Sequence, residues 1–320
     1  MIDILNLVIP LFSLVFLGYL SGRIANLPFD GLAWLNFFVV YIALPALFFR
    51  LLVKTPIGEF ANFSFILASL CATLAVFIVA FLIAGLRNDG NVAESTIQGF
   101  GAAYGNIGYL GPPLAIAAFG PEAGVPVALI FCFENAMHFA LAPMLMALHT
   151  GSDTGRRLAI QILRQIFSHP FILATIAGIA GAAIQFQAPA GIQTLLDVLS
   201  AGAAPCALFA MGVTAALRPL KRVPPELTYL LPLKLIVHPA LMLLAMAWLA
   251  PSSPALWVNS AALLAALPAA TNVFVIAQHY GVWQNRASST VVLSTALALV
   301  TVTLWIYLAK GGYLAQFVAG

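Results

Sequence analysis

The chain has 320 residues, of which 62% are hydrophobic and 7% charged, and its mean hydropathy is +1.04. A water-soluble domain of this size could not carry so apolar a composition without aggregating, so the composition indicates an integral membrane protein. The net charge of +3 requires no nucleic-acid partner, because most of the basic residues act as orientation signals in the topology predicted below.

Apolar runs of roughly 20 to 25 residues follow one another along the chain, each about long enough to cross a bilayer core as a helix. The alternation typical of a β-barrel is absent. The first run follows the lone charge of Asp3 rather than a basic segment, which favours a spanning helix over a cleaved signal peptide. We therefore predict an all-α membrane protein with ten transmembrane helices, at residues 4–23, 31–53, 61–86, 95–119, 122–148, 160–185, 190–217, 227–249, 255–280 and 287–310.

Basic residues are distributed unevenly between the two sides of this topology. Short cytoplasmic loops retain lysine and arginine, so the side with more of them is predicted to be cytoplasmic. With the N-terminus outside, nine basic residues lie on the cytoplasmic side and three outside, and Lys234 lies within the membrane. Both termini are therefore predicted to lie outside. The nine are Arg23, Arg87, Arg156, Arg157, Arg164, Arg218, Lys221, Arg222 and Arg286, and the three are Arg50, Lys54 and Lys310.

Glycine, proline and phenylalanine recur at a nearly constant offset of 160 residues. Chance could match a single pair, because the chain has 24 glycines and 20 prolines, but a register shared by two helices of each half favours a duplication. We predict one five-helix repeat at 1–150 and a second at 160–320. Since five is odd, the second repeat enters the membrane in the opposite direction, an inverted-topology arrangement found in many secondary transporters. The matched pairs are Pro10 and Pro170, Gly18 and Gly178, Gly31 and Gly191, Pro45 and Pro205, and Phe49 and Phe209.

Two predicted spans contain residues that interrupt a helix. The stretch NIGYLGPPLA at 106–115 lies in span four, and LPAATNVF at 267–274 lies in span nine. Unpaired backbone groups in lipid cost several kcal/mol each, so such breaks persist only inside protein or beside a water-filled cavity. At about 1.5 Å per residue, the breaks lie roughly 16 Å and 20 Å deep, near the midplane. Simple kinks are the alternative.

Crossed discontinuous helices four and nine would direct the N-terminal ends of their second halves at the crossing. Free N–H groups and partial positive charge at those ends favour an anion. The side-chain amides of Asn106 and Asn272 are the leading contacts, since each offers a donor and an acceptor. The predicted substrate-binding residues are Asn106, Gly108, Gly111, Pro112, Pro268, Thr271 and Asn272.

Ionisable residues inside predicted spans are costly and usually face a cavity or a partner. In span five, Glu134 and His138 lie one turn apart with Asn135 beside them. In span eight, Lys234 and His238 are also four residues apart. Proton or sodium coupling through Glu134 is one interpretation, and a cation at Lys234 could hold a substrate carboxylate or neutralise Glu134. Structural hydrogen bonding between helices is the alternative for both groups.

Enzymatic motifs are absent from the sequence. There is no GxSxG, HExxH or Walker loop, so covalent, zinc-dependent and ATP-driven mechanisms lack their residues. Cys71, Cys132 and Cys206 lie within apolar runs, which argues against disulfides and a CxxC metal site. We predict a carrier without a resident cofactor or metal, with a proton or sodium ion as the candidate coupling ion.

The residues of spans four, nine and ten resemble the auxin efflux carrier family, which includes plant carriers and bacterial malonate or malate permeases. The resemblance rests on NIGYLGPPLA, LPAATNVFVIAQHYG and STVVLSTALALVTV, and it extends over essentially the whole chain. It implies two inverted five-helix repeats, a scaffold domain of helices 1, 2, 6 and 7, and a transport domain of helices 3–5 and 8–10. It also implies elevator-type transport of small organic anions by a homodimer in a bacterial inner membrane, with periplasmic termini.

The resemblance leaves the anion and the coupling ion open. The plant carriers have a long hydrophilic loop between the repeats, whereas about ten residues, TGSDTGRRLA, connect them in this chain. Auxin itself is therefore a doubtful physiological substrate, and the predicted substrates are small organic anions such as mono- or dicarboxylates or auxin-like acids. The alternative function is a sodium- or proton-coupled symporter or antiporter of the same fold, carrying a bile-acid-like anion or a cation.

Overall fold

The computed structural model describes residues 2–25, 28–150, 155–217 and 223–319, and these residues form helices joined by short non-helical segments, with no β-strand. Among the described residues, seven helices or helix runs are long and apolar enough to cross a membrane, or eight if the broken pair Arg156–Phe167 and Pro170–Ala183 forms one span. The chain is thus an all-helical, multi-pass membrane protein. Three of the nine basic residues predicted to be cytoplasmic lie outside the described residues, namely Arg218, Lys221 and Arg222.

The described chain divides into two compact units. Unit 1 comprises Met1–Asn62, Gly108–Cys132 and Phe167–Pro219, and unit 2 comprises Phe63–Ile107, Phe133–Ile166 and Leu220–Gly320. Helices of unit 1 are α1 (Ile2–Ile24), α2 (Ala33–Phe37), α3 (Leu44–Leu52), α6 (Gly111–Phe119), the first part of α7 (Gly124–Thr150), α9 (Pro170–Ala183) and α10 (Ala190–Leu217). Those of unit 2 are α4 (Phe63–Arg87), α5 (Val92–Ala103), the rest of α7, α8 (Arg156–Phe167), α11 (Leu227–Pro232), α12 (His238–Leu249), α13 (Ala255–Ala266), α14 (Thr271–His279), α15 (Gln284–Lys310) and α16 (Tyr313–Ala319).

Glycines allow very close helix packing in unit 1. A Cβ atom added to Gly212 of α10 would lie 1.9 Å from the Val15 carbonyl oxygen of α1, and one added to Gly18 would lie 2.2 Å from the Phe209 carbonyl oxygen. Small residues of this kind let backbones approach where lipid offers no hydrophobic driving force between helices. The α1–α10 contact therefore depends on glycine at both positions.

A π-helical turn, Leu233–Val237, joins α11 to α12 in unit 2. Pro239 follows it. Proline has no N–H to donate to the carbonyl of Leu235, four residues earlier, and its ring would collide with that carbonyl in a regular helix. The carbonyl oxygen of Leu235 instead accepts a hydrogen bond from Trp305 Nε1 of α15 at 3.1 Å. The wider turn places Lys234 on a buried face of unit 2, with 0% of its surface exposed.

Candidate functional site

Two helix interruptions predicted from the sequence are present. Residues 104–110 separate α5 from α6, and residues 267–270 separate α13 from α14. Within unit 2, an antiparallel bridge pairs Gly105 with Ala269. Each interruption therefore lies beside protein backbone, as the cost of unpaired polar groups requires.

Backbone groups freed at the interruptions are satisfied by one another and by one serine. Asn106 N–H donates to the Pro268 carbonyl at 2.8 Å, and Ala270 N–H donates to the Tyr104 carbonyl at 2.9 Å. Ala269 N–H donates to Ser294 Oγ at 3.1 Å. These bonds fix the two non-helical stretches against each other and against α15.

Tyr104 connects side chains from three parts of unit 2. Its hydroxyl accepts a hydrogen bond from Asn272 Nδ2 at 2.8 Å and donates to Asn135 Oδ1. Its ring stacks on His138, with ring centroids 4.0 Å apart. Tyr104 was not among the predicted site residues, although an aromatic residue directly before a helix break is a signal that could have identified it.

Solvent access differs among the predicted binding residues of unit 2. Asn106 is buried, with 3% of its surface exposed, and Pro268 is also buried. Thr271 and Asn272 are half-buried at the start of α14. Val273 N–H donates to the Ala270 carbonyl at 3.1 Å, but the first N–H groups of a helix otherwise lack intrahelical partners. Thr271 and Asn272 therefore combine accessible side chains with anion-favouring backbone donors.

The predicted residues of span four's second half belong to unit 1. Gly108 is half-buried against Phe131, where an added Cβ would lie 3.1 Å from the ring, and Gly111 and Pro112 are buried. Pro112 and Pro113 have no N–H, and Leu114 N–H donates to the Leu110 carbonyl at 3.1 Å. The first turn of α6 therefore offers few backbone donors to an anion, in contrast to α14.

A chain of hydrogen bonds links the predicted charged residues in unit 2. Thr73 Oγ1 and Ser69 Oγ donate to Glu134 Oε1 at 2.9 and 3.1 Å. His238 Nε2 lies 3.0 Å from Thr73 Oγ1, and His238 Nδ1 lies 2.9 Å from Lys234 Nζ. Because the Thr73 proton is used on Glu134, this arrangement requires His238 to donate from Nε2 and to accept from Lys234 at Nδ1.

Lys234 lies at one end of this chain of hydrogen bonds and also contacts the backbone. Its ammonium also donates to the Ala265 carbonyl at 2.8 Å, in the last turn of α13 and two residues before the interruption. A Cβ added to Gly105 would lie 3.1 Å from Lys234 Nζ, so glycine leaves room for the ammonium beside the bridge. Lys234 therefore supports the interrupted backbone and is connected to Glu134 through two intervening side chains.

His138 is fully buried beside this network, and its ring makes no side-chain hydrogen bond within the described part of the chain. Its ring is held by Tyr104 and by an edge contact with Phe100. Ser69 and Thr73, which hold Glu134, were missed from the sequence. Their spacing of four residues on span three is a signal, but it is weak because serine and threonine commonly bond to their own helix.

Long apolar helices and paired helix interruptions are features of membrane transport proteins. The sequence profile of the family described as "Membrane transport protein" matches residues 3–306. The chain therefore belongs to this family, that of the auxin efflux carriers, and is a membrane transporter rather than an enzyme.

Relatives cover nearly the whole chain. A protein of Rhizobium meliloti (strain 1021) named "Putative malonate transporter" is 53% identical over 315 residues, covering 98% of each chain. An "Uncharacterized transporter" of Methanothermobacter thermautotrophicus is 28% identical over 306 residues, covering 93% of this chain and 96% of its own. A further uncharacterized transporter, from Methanocaldococcus jannaschii, is 27% identical over 226 residues, covering 68% of this chain and 70% of its own.

Proposed function

We propose that the protein is a secondary active transporter of small dicarboxylates such as malonate. The observation that carries the proposal is the start of α14, where Thr271 and Asn272 stand half-buried beside free helix N–H groups and Asn272 is held by Tyr104. The 53% identity to a relative named for malonate transport favours this substrate class. A carboxylate at that helix end would receive charge-assisted hydrogen bonds.

Ten spans in two inverted repeats are part of this proposal. A matched contact supports them: Gly18 packs against Phe209, while a Cβ added to Gly178 would lie 3.5 Å from Phe49 Cα. The two glycines are 160 residues apart, and so are the two phenylalanines. A duplication with inverted topology predicts such reciprocal pairs, since the glycine of each repeat packs on the phenylalanine of the other repeat.

Elevator-type movement is proposed for the transport domain of helices 3–5 and 8–10 relative to the scaffold domain of helices 1, 2, 6 and 7. In the described chain, segments of spans one and two group with those of spans six and seven in unit 1, which supports this division, but unit 1 also contains Gly108–Cys132 of spans four and five. We further propose a homodimer in the bacterial inner membrane with periplasmic termini, the orientation favoured by the basic residues.

Coupling to a proton through Glu134 is proposed, with no resident cofactor or metal. Glu134 is 2% exposed, and its carboxylate accepts hydrogen bonds from Ser69 and Thr73. Thr73 connects it through His238 to Lys234. A proton added to this network would neutralise the carboxylate and change the hydrogen bonds that reach the Ala265 carbonyl in the last turn of α13. Sodium in place of the proton is the alternative for the same carboxylate.

Transport is tested with the purified protein in liposomes. We expect labelled malonate to enter vesicles preloaded with unlabelled malonate and to be recovered chemically unchanged. Succinate, acetate and indole-3-acetate as competitors define the substrate class. Absence of malonate exchange, with uptake of another competitor, would contradict the assigned substrate, and absence of exchange for every anion would contradict the proposed function.

A further inference from the structure

A cavity of about 270 Å³ in unit 2 is lined by none of the residues of the two interruptions, 104–110 and 267–270. It is bounded by the end of α7, the first turns of α8, the start of α5 and the segment that follows α14. Buried Ala93, Pro143, Met146 and Ala147 form an apolar floor. The proposed transport mechanism uses none of these residues.

Each polar side chain known to line this cavity, among the described residues, carries a hydrogen-bond donor. Arg157, His149 and His279 line it together with Gln161 and Tyr280, and no carboxylate is among the described lining residues. A guanidinium presents two N–H groups that match the oxygens of a phosphate, and an imidazole retains an N–H donor in either protonation state. Because the donors come from α7, α8 and the α14 end, they converge on one volume rather than forming a single charged helix face.

Helix α8 has the character of a helix that lies at a membrane surface. It carries Arg156, Arg157 and Arg164, and none of its residues is buried. Ile160 and Leu163 are each 53% exposed, and helical spacing places them beside Arg156. Basic residues beside an exposed apolar face are typical of interfacial helices, and they attract anionic lipids.

We propose that this cavity binds the phosphate headgroup of an anionic phospholipid. Its volume is below the roughly 300–1,000 Å³ usual for small-molecule sites, so it suits a headgroup and not a whole lipid. Arg157 receives the phosphate, the two histidines and Tyr280 add donors, and the apolar floor accommodates the glycerol carbons. The acyl chains leave the cavity toward the bilayer, beside the exposed apolar face of α8.

The test measures binding of dihexanoyl phosphatidylglycerol to the purified protein in detergent, by native mass spectrometry and thermal shift. Arg157→Ala is expected to weaken binding about tenfold, the loss of one charge-assisted contact. His279→Ala, on a different part of the chain, is expected to weaken it severalfold. Arg164→Ala is the matched control, since Arg164 is an exposed arginine of the same helix that does not line the cavity.

Three results would overturn the proposal. Equal losses in Arg157→Ala and Arg164→Ala would indicate general attraction to a basic helix. Equal binding of dihexanoyl phosphatidylcholine would remove the requirement for an anionic headgroup. Glycerol 3-phosphate binding as tightly as the lipid would assign the cavity to a soluble phosphate. Thermal stability without lipid, measured for each variant, separates loss of binding from loss of folding, and His279→Ala decides the matter if Arg157→Ala does not fold.

Discussion

Asn272 Nδ2 donates a hydrogen bond of 2.8 Å to the hydroxyl of Tyr104, so a side chain at the start of α14 is fixed by a residue at the end of α5. The backbones of the same two segments pair through Gly105 and Ala269. Backbone and side chain therefore position the α14 end together. A ligand at this end meets an amide whose orientation is already restricted, which lowers the entropy lost on binding.

Asn272→Ala and Asn106→Ala are each expected to leave a folded, membrane-inserted protein that binds malonate at least about tenfold more weakly. Loss of one hydrogen bond to a charged ligand costs about 1.5–3 kcal/mol. Binding is measured by thermal shift or by half-saturation of exchange. Asn62→Ala is the control, because the amide of Asn62 donates to the Glu59 carbonyl in an exposed turn. Normal binding by both variants would mean that the site is elsewhere, and unfolding of Asn106→Ala would assign that buried amide to the backbone interruption.

Tyr104→Phe removes the hydroxyl and keeps the ring that stacks on His138. Asn272 and Asn135 then lose a shared partner in a buried site, so we expect the free energy of unfolding to fall by about 1–3 kcal/mol and malonate affinity to fall severalfold. Tyr307→Phe is the matched control on α15, where the side chain is 40% exposed. Equal malonate affinity in Tyr104→Phe and wild type would show that Tyr104 does not position Asn272 for binding.

Glu134→Gln tests coupling. The carboxylate faces Ser69 and Thr73 of α4 and is connected to His238 and Lys234, with His138 one turn further along α7. If Glu134 carries the coupling proton, its glutamine variant is expected to lose the pH dependence of net uptake while malonate exchange continues. Glu59→Gln, at an exposed position, should behave as wild type. A retained pH dependence in Glu134→Gln would exclude Glu134 from coupling.

Gly212→Ala is expected to destabilise unit 1. The added Cβ would lie 1.9 Å from the Val15 carbonyl oxygen, so α1 and α10 must move apart, at a cost of about 1–3 kcal/mol or more. The melting temperature in detergent measures the effect. Gly191→Ala is the control, because no atom lies within 4 Å of the Cβ it would add. Equal melting temperatures would contradict the close packing of α1 on α10.

Cysteine labelling tests the orientation. In a variant lacking Cys71, Cys132 and Cys206, Gly155→Cys is expected to react only from the cytoplasmic side and Gln316→Cys only from the periplasmic side. Both positions are exposed, so a membrane-impermeant maleimide applied to intact cells distinguishes the two sides. Labelling of both positions from one side would contradict ten spans with both termini outside.

Several features of this protein were determined by the sequence alone. Its composition determined the membrane class, because only a bilayer tolerates so apolar a surface. Gly108, Gly111, Pro112 and Pro268 marked the helix interruptions, because proline removes a donor and glycine weakens a helix locally. Charged residues within apolar runs were equally visible, since burying a charge is costly wherever the helix lies.

Partners of those residues were decided by the tertiary structure. A sequence gives neighbours one turn apart on a helix, so it paired Glu134 with His138 and Lys234 with His238. In the structure, Glu134 instead bonds to Ser69 and Thr73 of α4, while Lys234 bonds to His238 and also to the Ala265 carbonyl.

Contacts between helices depend on how each helix is rotated and on where the helices cross. Small residues and complementary shapes at many positions determine this rotation and these crossing points. The role of Tyr104 depends in addition on the pairing of Gly105 with Ala269 across 164 positions of the sequence. No local periodicity encodes that pairing, because it forms only when the two interrupted segments are brought together by the surrounding helices.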